Sequence, residues 1–258
     1  MPLDYAEDGI IVSPYSKLAG IYDDVMSHVD YKQWARYIQK VIMKWCPEAT
    51  KILDISCGTG SLLAKFDSNR YRLFGFDLSF NMVMEAERKF HPLQLPILLW
   101  CGNMKSFRLK KNVDVVICLY DSINYLLNFE AWSRCFDCVF DSLNDQGIFI
   151  FDICTEKNSL KYFRNYIERK NRNQYQYLRA SKYSSETNIH TNRFEIAFSS
   201  GSQKYVEIHQ QYIFPVKDVL DFISKSKFEY LCAYDGFTFR SAHRNSLRIH
   251  FILKKIGT

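Results

Sequence analysis

The chain has 258 residues, 47% of them hydrophobic, and a formal net charge of +6. This length and composition suit one α/β domain with a sizeable core and an appended lid. The charge is modest for a nucleic-acid enzyme, and no apolar stretch approaches the roughly 18 residues that span a bilayer, so neither nucleic acid nor a membrane is the expected partner.

The N-terminal residues and the cysteines indicate the cellular compartment of the protein. The N-terminal residues lack an apolar signal run, which predicts a cytoplasmic protein. The eight cysteines fall mostly inside apolar strand or helix patterns, as in a reduced interior. Cys135 and Cys138 form a C-x-x-C pair within a helical run, but a second pair at zinc-finger spacing is missing, so we expect no metal site.

The first predicted elements are two helices within Ser16 to Trp45, where apolar and aromatic residues recur at three- and four-residue steps. We expect these helices to lie over a ligand cleft. Helical periodicity alone also explains Trp34 as an ordinary packing residue.

A strand that ends in a carboxylate follows, and it leads directly into a turn with two glycines. The apolar run from Ile52 to Asp54 suits a strand buried on both faces of a parallel sheet. Gly58 and Gly60 allow the backbone to turn tightly and to approach a ligand. Helical spacing over 61–66 predicts a helix next, so the turn is expected at the carboxyl end of a strand, where open α/β sheets bind ligands.

Asp77 ends the next apolar stretch and lies 23 residues beyond Asp54. This is about the separation at which a βαβ unit places a ribose-binding acid. One carboxylate can accept hydrogen bonds from both hydroxyls of a ribose. A helix N-cap or turn aspartate is the alternative interpretation.

The glycine turn differs from the dinucleotide pattern G-x-G-x-x-G, because Leu63 stands where the third glycine would fall. The carboxylate of Asp54 before the turn would repel a pyrophosphate but would suit an ammonium group. S-adenosylmethionine is a ligand of that kind, with a cationic amino-acid tail and no phosphate.

Three more strands alternate with helical segments and are predicted over 97–100, 113–119 and 148–153. A helix over 129–143 and a turn over 144–147 precede the last of them. Leu119, Tyr120 and Asp121 should therefore emerge at the same sheet edge as Gly58 and Asp77. The alternation predicts an α/β fold with a doubly wound, Rossmann-like parallel sheet.

Residues 155–212 break this alternation, because they are polar and rich in tyrosine and contain stretches of period two. They predict a small antiparallel β insert, which we interpret as a substrate lid. Dimerisation or extension of the sheet is the alternative. A helix over 216–226 and strands over 228–234 and 247–254 then complete the main domain.

Several stretches taken together resemble the class I S-adenosylmethionine-dependent methyltransferases, in particular their bacterial small-molecule branch. They are Tyr22 to Met26, Asp30 to Trp34, Leu53 to Gly60, Gly75 to Ser79, Asp121 to Leu126 and Gly147 to Asp152. The resemblance covers almost the whole chain. It implies a seven-stranded, mostly parallel sheet whose last strand is antiparallel, with 1–154 and 213–258 as the domain that binds S-adenosyl-L-methionine and 155–212 as the inserted lid.

The resemblance also implies the cofactor-binding residues, with Tyr22 and Tyr31 at the sulfonium and amino-acid end. They are Tyr22, Tyr31, Asp54, Ser56, Cys57, Gly58, Gly60, Asp77, Leu78, Met82, Gly102, Asn103, Met104, Leu119 and Tyr120. Ser56 stands where a first glycine is usual. Asn103 replaces the aspartate that usually meets the adenine amino group, and its carbonyl can still accept that hydrogen bond.

Methyl transfer depends mostly on positioning the acceptor and excluding water, and a base helps only when the acceptor is a protonated amine or a hydroxyl. The candidate bases are Asp121 and His209. His209 as an inert strand histidine, and Asp121 as a residue that caps or orients Asn124, are the alternatives.

The leading functional hypothesis is methylation of a nitrogen or oxygen of a small molecule by a monomer or homodimer. An RNA or protein methyltransferase is a second hypothesis, which would require the basic stretch 162–172 to line the cleft. The third is a non-catalytic protein that binds S-adenosylmethionine.

Overall fold

The structure is a computed structural model that describes residues 9–257. Residues 1–8 and 258, which the predicted domain bounds include, lie outside the described residues. In chain order the strands and α-helices are β1 (Ile10–Val12), α1 (Tyr22–Val25), α2 (Tyr31–Trp45), β2 (Lys51–Asp54), β3 (Arg72–Asp77), α3 (Phe80–Phe90), β4 (Ile97–Cys101), β5 (Val113–Cys118), α4 (Phe129–Ser142), β6 (Leu143–Cys154), α5 (Glu156–Tyr162), β7 (Asn165–Asn171), β8 (Tyr175–Ser184), β9 (Ile189–Phe198), β10 (Lys204–Tyr212), α6 (Val216–Ser224), β11 (Glu229–Asp235) and β12 (Arg248–Lys254).

Seven of the described strands form the main sheet, in the order β11-β12-β6-β5-β2-β3-β4. Strands β2 to β6 run parallel to one another, and β12 runs antiparallel to both β6 and β11. This confirms the predicted doubly wound, Rossmann-like sheet with an antiparallel last strand. The strand order reverses between β2 and β5, so a crevice for a ligand is expected at their carboxyl ends.

The apolar pattern of the sequence explains why the sheet is covered on both faces. Ile52 of β2 belongs to the core under α2, whereas the neighbouring Leu53 belongs to the core under α4. Both side chains are fully buried, and each such burial stabilises the fold by about 1.5 to 3 kcal/mol. Asp30 begins α2 by accepting a hydrogen bond from the backbone N–H of Gln33 at 2.9 Å.

A second sheet, which we call the lid sheet, has the order β1-β10-β9-β8-β7. Strands β7 to β10 pair antiparallel, as the sequence predicts, but β1 adds to β10 in parallel, which the sequence did not reveal. Alternate residues of these strands point to opposite faces. The inner face, which includes Arg179, Phe194 and His209, therefore lies over the crevice of the main sheet.

The predicted helix over 61–66 is wrong. The chain forms one short 3-10 turn at Leu63–Lys65, and Phe66 is already extended. The turn-forming residues Asp67, Ser68 and Asn69 follow too soon for an α-helix to develop, and Leu63 still buries its side chain in the core.

The predicted turn over 144–147 is also wrong, because β6 already begins at Leu143 and continues through these residues. The pairing of β5 with β6 shifts register here, and Gln146 has a φ of 66°. The turn-type residues therefore form an irregularity within a longer strand. No helix among residues 9–257 has the length and apolar character required to cross a membrane.

Candidate active site

Two adjoining cavities lie at the carboxyl ends of the parallel strands. The first, which we call the β3 cavity, has a volume of about 560 Å³ and lies beside Asp77 at the end of β3. The second, the lid cavity, has about 140 Å³ and lies between the main sheet and the lid sheet. The residues common to both linings are Tyr15, Tyr22, Ser56, Gly58, Ser122 and Tyr125.

The two glycines of the turn have different roles. Both have positive φ, 54° for Gly58 and 72° for Gly60. A Cβ atom on Gly58 would have no neighbour within 4 Å, whereas one on Gly60 would lie 2.2 Å from Cζ of Phe90. Gly58 therefore leaves room for a ligand in the cavities, and Gly60 leaves room for α3 to pack against the turn.

The carboxylate of Asp77 ties the glycine turn to the start of α3. Its Oδ2 accepts from the N–H of Gly58 and its Oδ1 from the N–H of Ser79, each at 2.9 Å. The side chain of Ser79, and not Asp77, is the N-cap of α3. Burial raises the pKa of Asp77. A carboxylate has about four lone-pair positions, so acceptor capacity remains for a ligand in the β3 cavity.

Asp54 lies beneath the lid cavity and is only 3% exposed. Burial raises its pKa to about 7, although its Oδ1 accepts a hydrogen bond from the N–H of Ser56 at 3.0 Å. The nearby carboxylate of Asp77 raises the pKa further. A ligand cation placed in this cavity would stabilise the ionised form of Asp54.

Further predicted cofactor-binding residues line the β3 cavity. They are Leu78, Met82, Gly102, Asn103 and Met104. The Oδ1 atom of Asn103 accepts from the N–H of Lys105 at 3.0 Å, which leaves its second lone pair for another donor. Leu78 is 69% exposed, so it offers an apolar surface to a flat ring.

The lid cavity brings together the other predicted site residues. They are Tyr22, Tyr31, Asp54, Ser56, Cys57, Gly58, Leu119, Tyr120, Asp121 and His209. Among the predicted site residues, all of which lie in the described part of the chain, Gly60 lines neither cavity. It packs against Phe90 instead.

Asp121 holds a network of donors. Its Oδ1 lies 2.6 Å from Nη2 of Arg248, and its Oδ2 accepts from Nε2 of Gln211 at 2.7 Å. Its backbone carbonyl accepts the N–H of Asn124 at 3.0 Å, whereas the Asn124 side chain donates to the carbonyl of Tyr212. The carboxylate of Asp121 therefore orients Gln211 and Arg248, and it makes no hydrogen bond with the Asn124 side chain.

A hydrogen-bonded chain runs from the cavity wall into the lid sheet. The hydroxyls of Tyr15 and Tyr125 are 2.6 Å apart, and the Tyr125 hydroxyl lies 3.1 Å from Nδ1 of His209. Nε2 of His209 lies 3.2 Å from Oε2 of Glu207. His209 is among the predicted residues, whereas Tyr15 and Tyr125 are too distant along the chain to leave a local signal. Glu207 is close in sequence, but its contacts with the N–H groups of Tyr15, Lys17 and Leu18 arise only in the folded chain.

Glu207 determines which nitrogen of His209 carries the proton. Burial would raise the pKa of Glu207, but hydrogen bonds from His209 and from the backbone N–H groups of Leu18, Lys17 and Tyr15 outweigh it and lower the pKa. An ionised carboxylate can only accept, so Nε2 of His209 is the donor. In the imidazole tautomer with its proton on Nε2, the Nδ1 lone pair faces the Tyr125 hydroxyl.

The sheet order, the glycine turn after β2 and the acids that end β2 and β3 are those of the class I S-adenosylmethionine-dependent methyltransferases, and the family match supports this class. The family described as "Methyltransferase domain" matches residues 52–147.

Comparisons with individual proteins agree with this family. The chain is 28% identical to YqeM of Bacillus subtilis (strain 168), across 95% of this chain and 98% of that protein. It is also 28% identical to a dTDP-3-amino-3,4,6-trideoxy-alpha-D-glucopyranose N,N-dimethyltransferase of Streptomyces venezuelae, across 48% of this chain and 50% of that enzyme. An S-adenosylmethionine-dependent methyltransferase from Clostridium acetobutylicum superposes with a TM-score of 0.79 at 24% identity, covering 94% of this chain and 99% of that one.

The cofactor of this family is S-adenosyl-L-methionine, and the cavities fit it. The open space at Gly58 admits a ligand close to the backbone, Asp77 keeps acceptor capacity beside the β3 cavity, and Asp54 is a buried acid that favours a cation. Among residues 9–257, no group of three or more His, Cys, Asp or Glu side chains is arranged to hold a metal ion.

Proposed function

We propose that this protein transfers the methyl group of S-adenosylmethionine to a nitrogen or oxygen of a small molecule bound in the lid cavity. The observation that carries the proposal is the junction of the two cavities, which share the aromatic side chains of Tyr15, Tyr22 and Tyr125. Ligands in the two cavities would meet at this junction. The lid sheet above it would exclude water and fix the acceptor, which are the main sources of rate in such a transfer.

In this proposal Asp77 accepts the ribose hydroxyls and Asn103 accepts the adenine amino group, as the sequence predicts. Leu78, Met82 and Met104, which the sequence predicts only as cofactor contacts, flank the adenine ring. Asp54 faces the ammonium group, while Tyr22 and Tyr31 surround the amino-acid end. Residues 155–212 act as the substrate lid on the remaining domain.

S-adenosylmethionine supplies an electrophilic methyl group, and the chain must then remove a proton from an amine or hydroxyl acceptor. The Tyr125 hydroxyl at the cavity wall can pass that proton to Nδ1 of His209. Burial raises the pKa values of Tyr15 and Tyr125, so both remain neutral hydroxyls that relay the proton. The buried carboxylate of Glu207 stabilises the resulting imidazolium, while Asp121 acts as a positioning residue for Gln211.

Two observations support a small acceptor over RNA. The basic stretch 162–172 lies mainly in β7, at the edge of the lid sheet, where Lys170 and Arg172 pair with Asp24 at 3.1 and 3.2 Å. These charges are engaged in holding the lid against α1. The Streptomyces venezuelae relative also carries in its name a nucleotide-linked amino sugar, which is a small acceptor.

The test uses purified protein, S-adenosylmethionine labelled in its methyl group, and three separate acceptor pools: a dialysed small-molecule extract, total RNA and total protein. We expect label in the small-molecule pool, and we expect His209→Asn to reduce it strongly. His190→Asn is the matched control, since His190 is a buried histidine of the same sheet outside the lid-cavity lining. Label confined to RNA or protein, or no transfer to any pool, would contradict the proposal.

A further inference from the structure

Arg179 is a charged residue of the lid cavity that the proposed transfer does not use. It lies on β8 opposite Phe194 of β9, on the inner face of the lid sheet. Its cavity neighbours from the lid sheet are Asn192, Phe194, His209 and Gln211, and they belong to the lining of the lid cavity but not to that of the β3 cavity. Arg179 therefore stands on the acceptor side of the junction.

The guanidinium group of Arg179 is held in one orientation. Its Nε and Nη2 atoms both donate to Oδ1 of Asn192, at 3.2 and 3.0 Å. It also lies 5.5 to 5.7 Å from the ring centroids of Phe163, Tyr166 and Phe194. An amide and three rings fix the plane of the group but do not neutralise its charge. The Nη1 donors remain available in the described structure.

The charge of Arg179 differs from that of the second arginine near this cavity. Arg248 forms ion pairs with both Asp121 and Asp152, so its charge is balanced by the protein. Within residues 9–257, Arg179 has no carboxylate at ion-pair distance. A guanidinium remains charged at any physiological pH, and a half-buried charge without a counterion is costly. Asp121 lines the same cavity, but Arg248 and Gln211 occupy its oxygens.

We infer that the methyl acceptor carries a carboxylate or phosphate group, which binds to the guanidinium group of Arg179. The inference rests on the proposed function and adds the chemical class of its substrate. The planar fork of arginine matches both anions in geometry. The aromatic side chains of Trp34 and Phe194, which also line the cavity, suit an apolar or ring-shaped remainder of the acceptor.

The carboxylate of the cofactor is the other possible source of such an anion. The location of Arg179 argues for the acceptor, because its hydrogen-bond partner and its ring contacts all belong to residues 163–194 of the insert. The glycine turn and Asp54 line the same cavity but belong to β2 of the main sheet and the turn after it. The experiment must nevertheless separate the two sources.

The test measures binding by calorimetry to protein saturated with S-adenosylhomocysteine, with benzoate and phenyl phosphate as anionic probes and benzamide as the neutral probe. Arg179→Gln should weaken anion binding about tenfold or more and leave benzamide unchanged. Arg179→Lys, which keeps the charge, should recover part of the affinity. The exposed Lys182→Gln on the same strand is the matched control and should bind the anions as the parent protein does.

Three results would overturn the inference: failure of both anions to bind the parent protein, equal anion affinity in Arg179→Gln, or a loss of S-adenosylhomocysteine affinity in Arg179→Gln with anion binding intact. Thermal unfolding of each variant verifies that it is folded. The labelled product from the extract gives a separate readout, since mass spectrometry should show that it contains a carboxylate or phosphate group. A labelled product that lacks both groups would overturn the inference while the proposed function stands.

Discussion

The β3 cavity and the lid cavity are built in different ways. The β3 cavity depends on a short stretch of chain, in which the backbone of Gly58 and Ser79 binds the carboxylate of Asp77. The lid cavity depends on side chains from distant segments, as in the chain from Tyr15 through Tyr125 to His209. The first arrangement identifies the cofactor, and the second must select the acceptor and remove its proton. Identifying the cofactor site from the β3 cavity therefore does not identify the acceptor that the lid cavity binds.

The largest expected effect is on kcat, and it comes from removing the histidine of the hydrogen-bonded chain in the lid cavity. We expect His209→Asn to lower kcat about 100-fold or more, the usual contribution of a positioned general base. The affinity for S-adenosylhomocysteine, measured by calorimetry, should remain unchanged because His209 does not line the β3 cavity. Unchanged kcat with the acceptor identified in the extract would remove His209 from the mechanism.

The converse change acts on the β3 cavity. Asp77→Ala should weaken cofactor binding by about 1.5 to 3 kcal/mol, because it removes hydrogen bonds to a charged group. Calorimetry with S-adenosylhomocysteine measures this loss. Glu87→Ala, which removes an exposed carboxylate of α3, is the control and should bind normally. Equal affinity in Asp77→Ala would show that the ribose lies elsewhere.

The same contrast explains what the sequence could predict. The parallel sheet, Asp77 and Gly58 follow from apolar runs and from the residues directly after them, so local patterns were sufficient. Glu207 and Arg179 could not be identified, because their roles arise only when the lid strands pair and bring segments far apart in the chain together. The prediction of a helix over 61–66 failed for a related reason, since helical spacing alone cannot show that a turn ends the helix early.

A smaller effect concerns Asp54, the buried acid beneath the lid cavity. The raised pKa of Asp54, about 7, means that its carboxyl is mostly neutral at pH 6 and mostly ionised at pH 8. If it faces the cofactor ammonium, affinity should increase as pH rises across this range, by up to about tenfold. Asp54→Asn should bind with little pH dependence. Affinity that falls with rising pH in the parent protein would contradict this placement.

The smallest expected effect concerns the contact between α1 and the lid. Asp24 of α1 pairs with Lys170 and Arg172 and accepts from the Tyr175 hydroxyl, which are all residues of the lid. Because these groups are partly exposed, Asp24→Asn should raise the KM for the acceptor only a few-fold and leave cofactor affinity unchanged. A change in cofactor affinity larger than the change in KM would indicate that the contact supports α1 instead of the lid.

The most direct test is a crystal structure of the protein with S-adenosylhomocysteine. We expect the adenosine in the β3 cavity with its ribose on Asp77, the homocysteine ammonium near Asp54, and the sulfur at the tyrosine junction facing the lid cavity. An adenosine bound outside the β3 cavity, or a sulfur directed away from the tyrosine junction, would contradict the account.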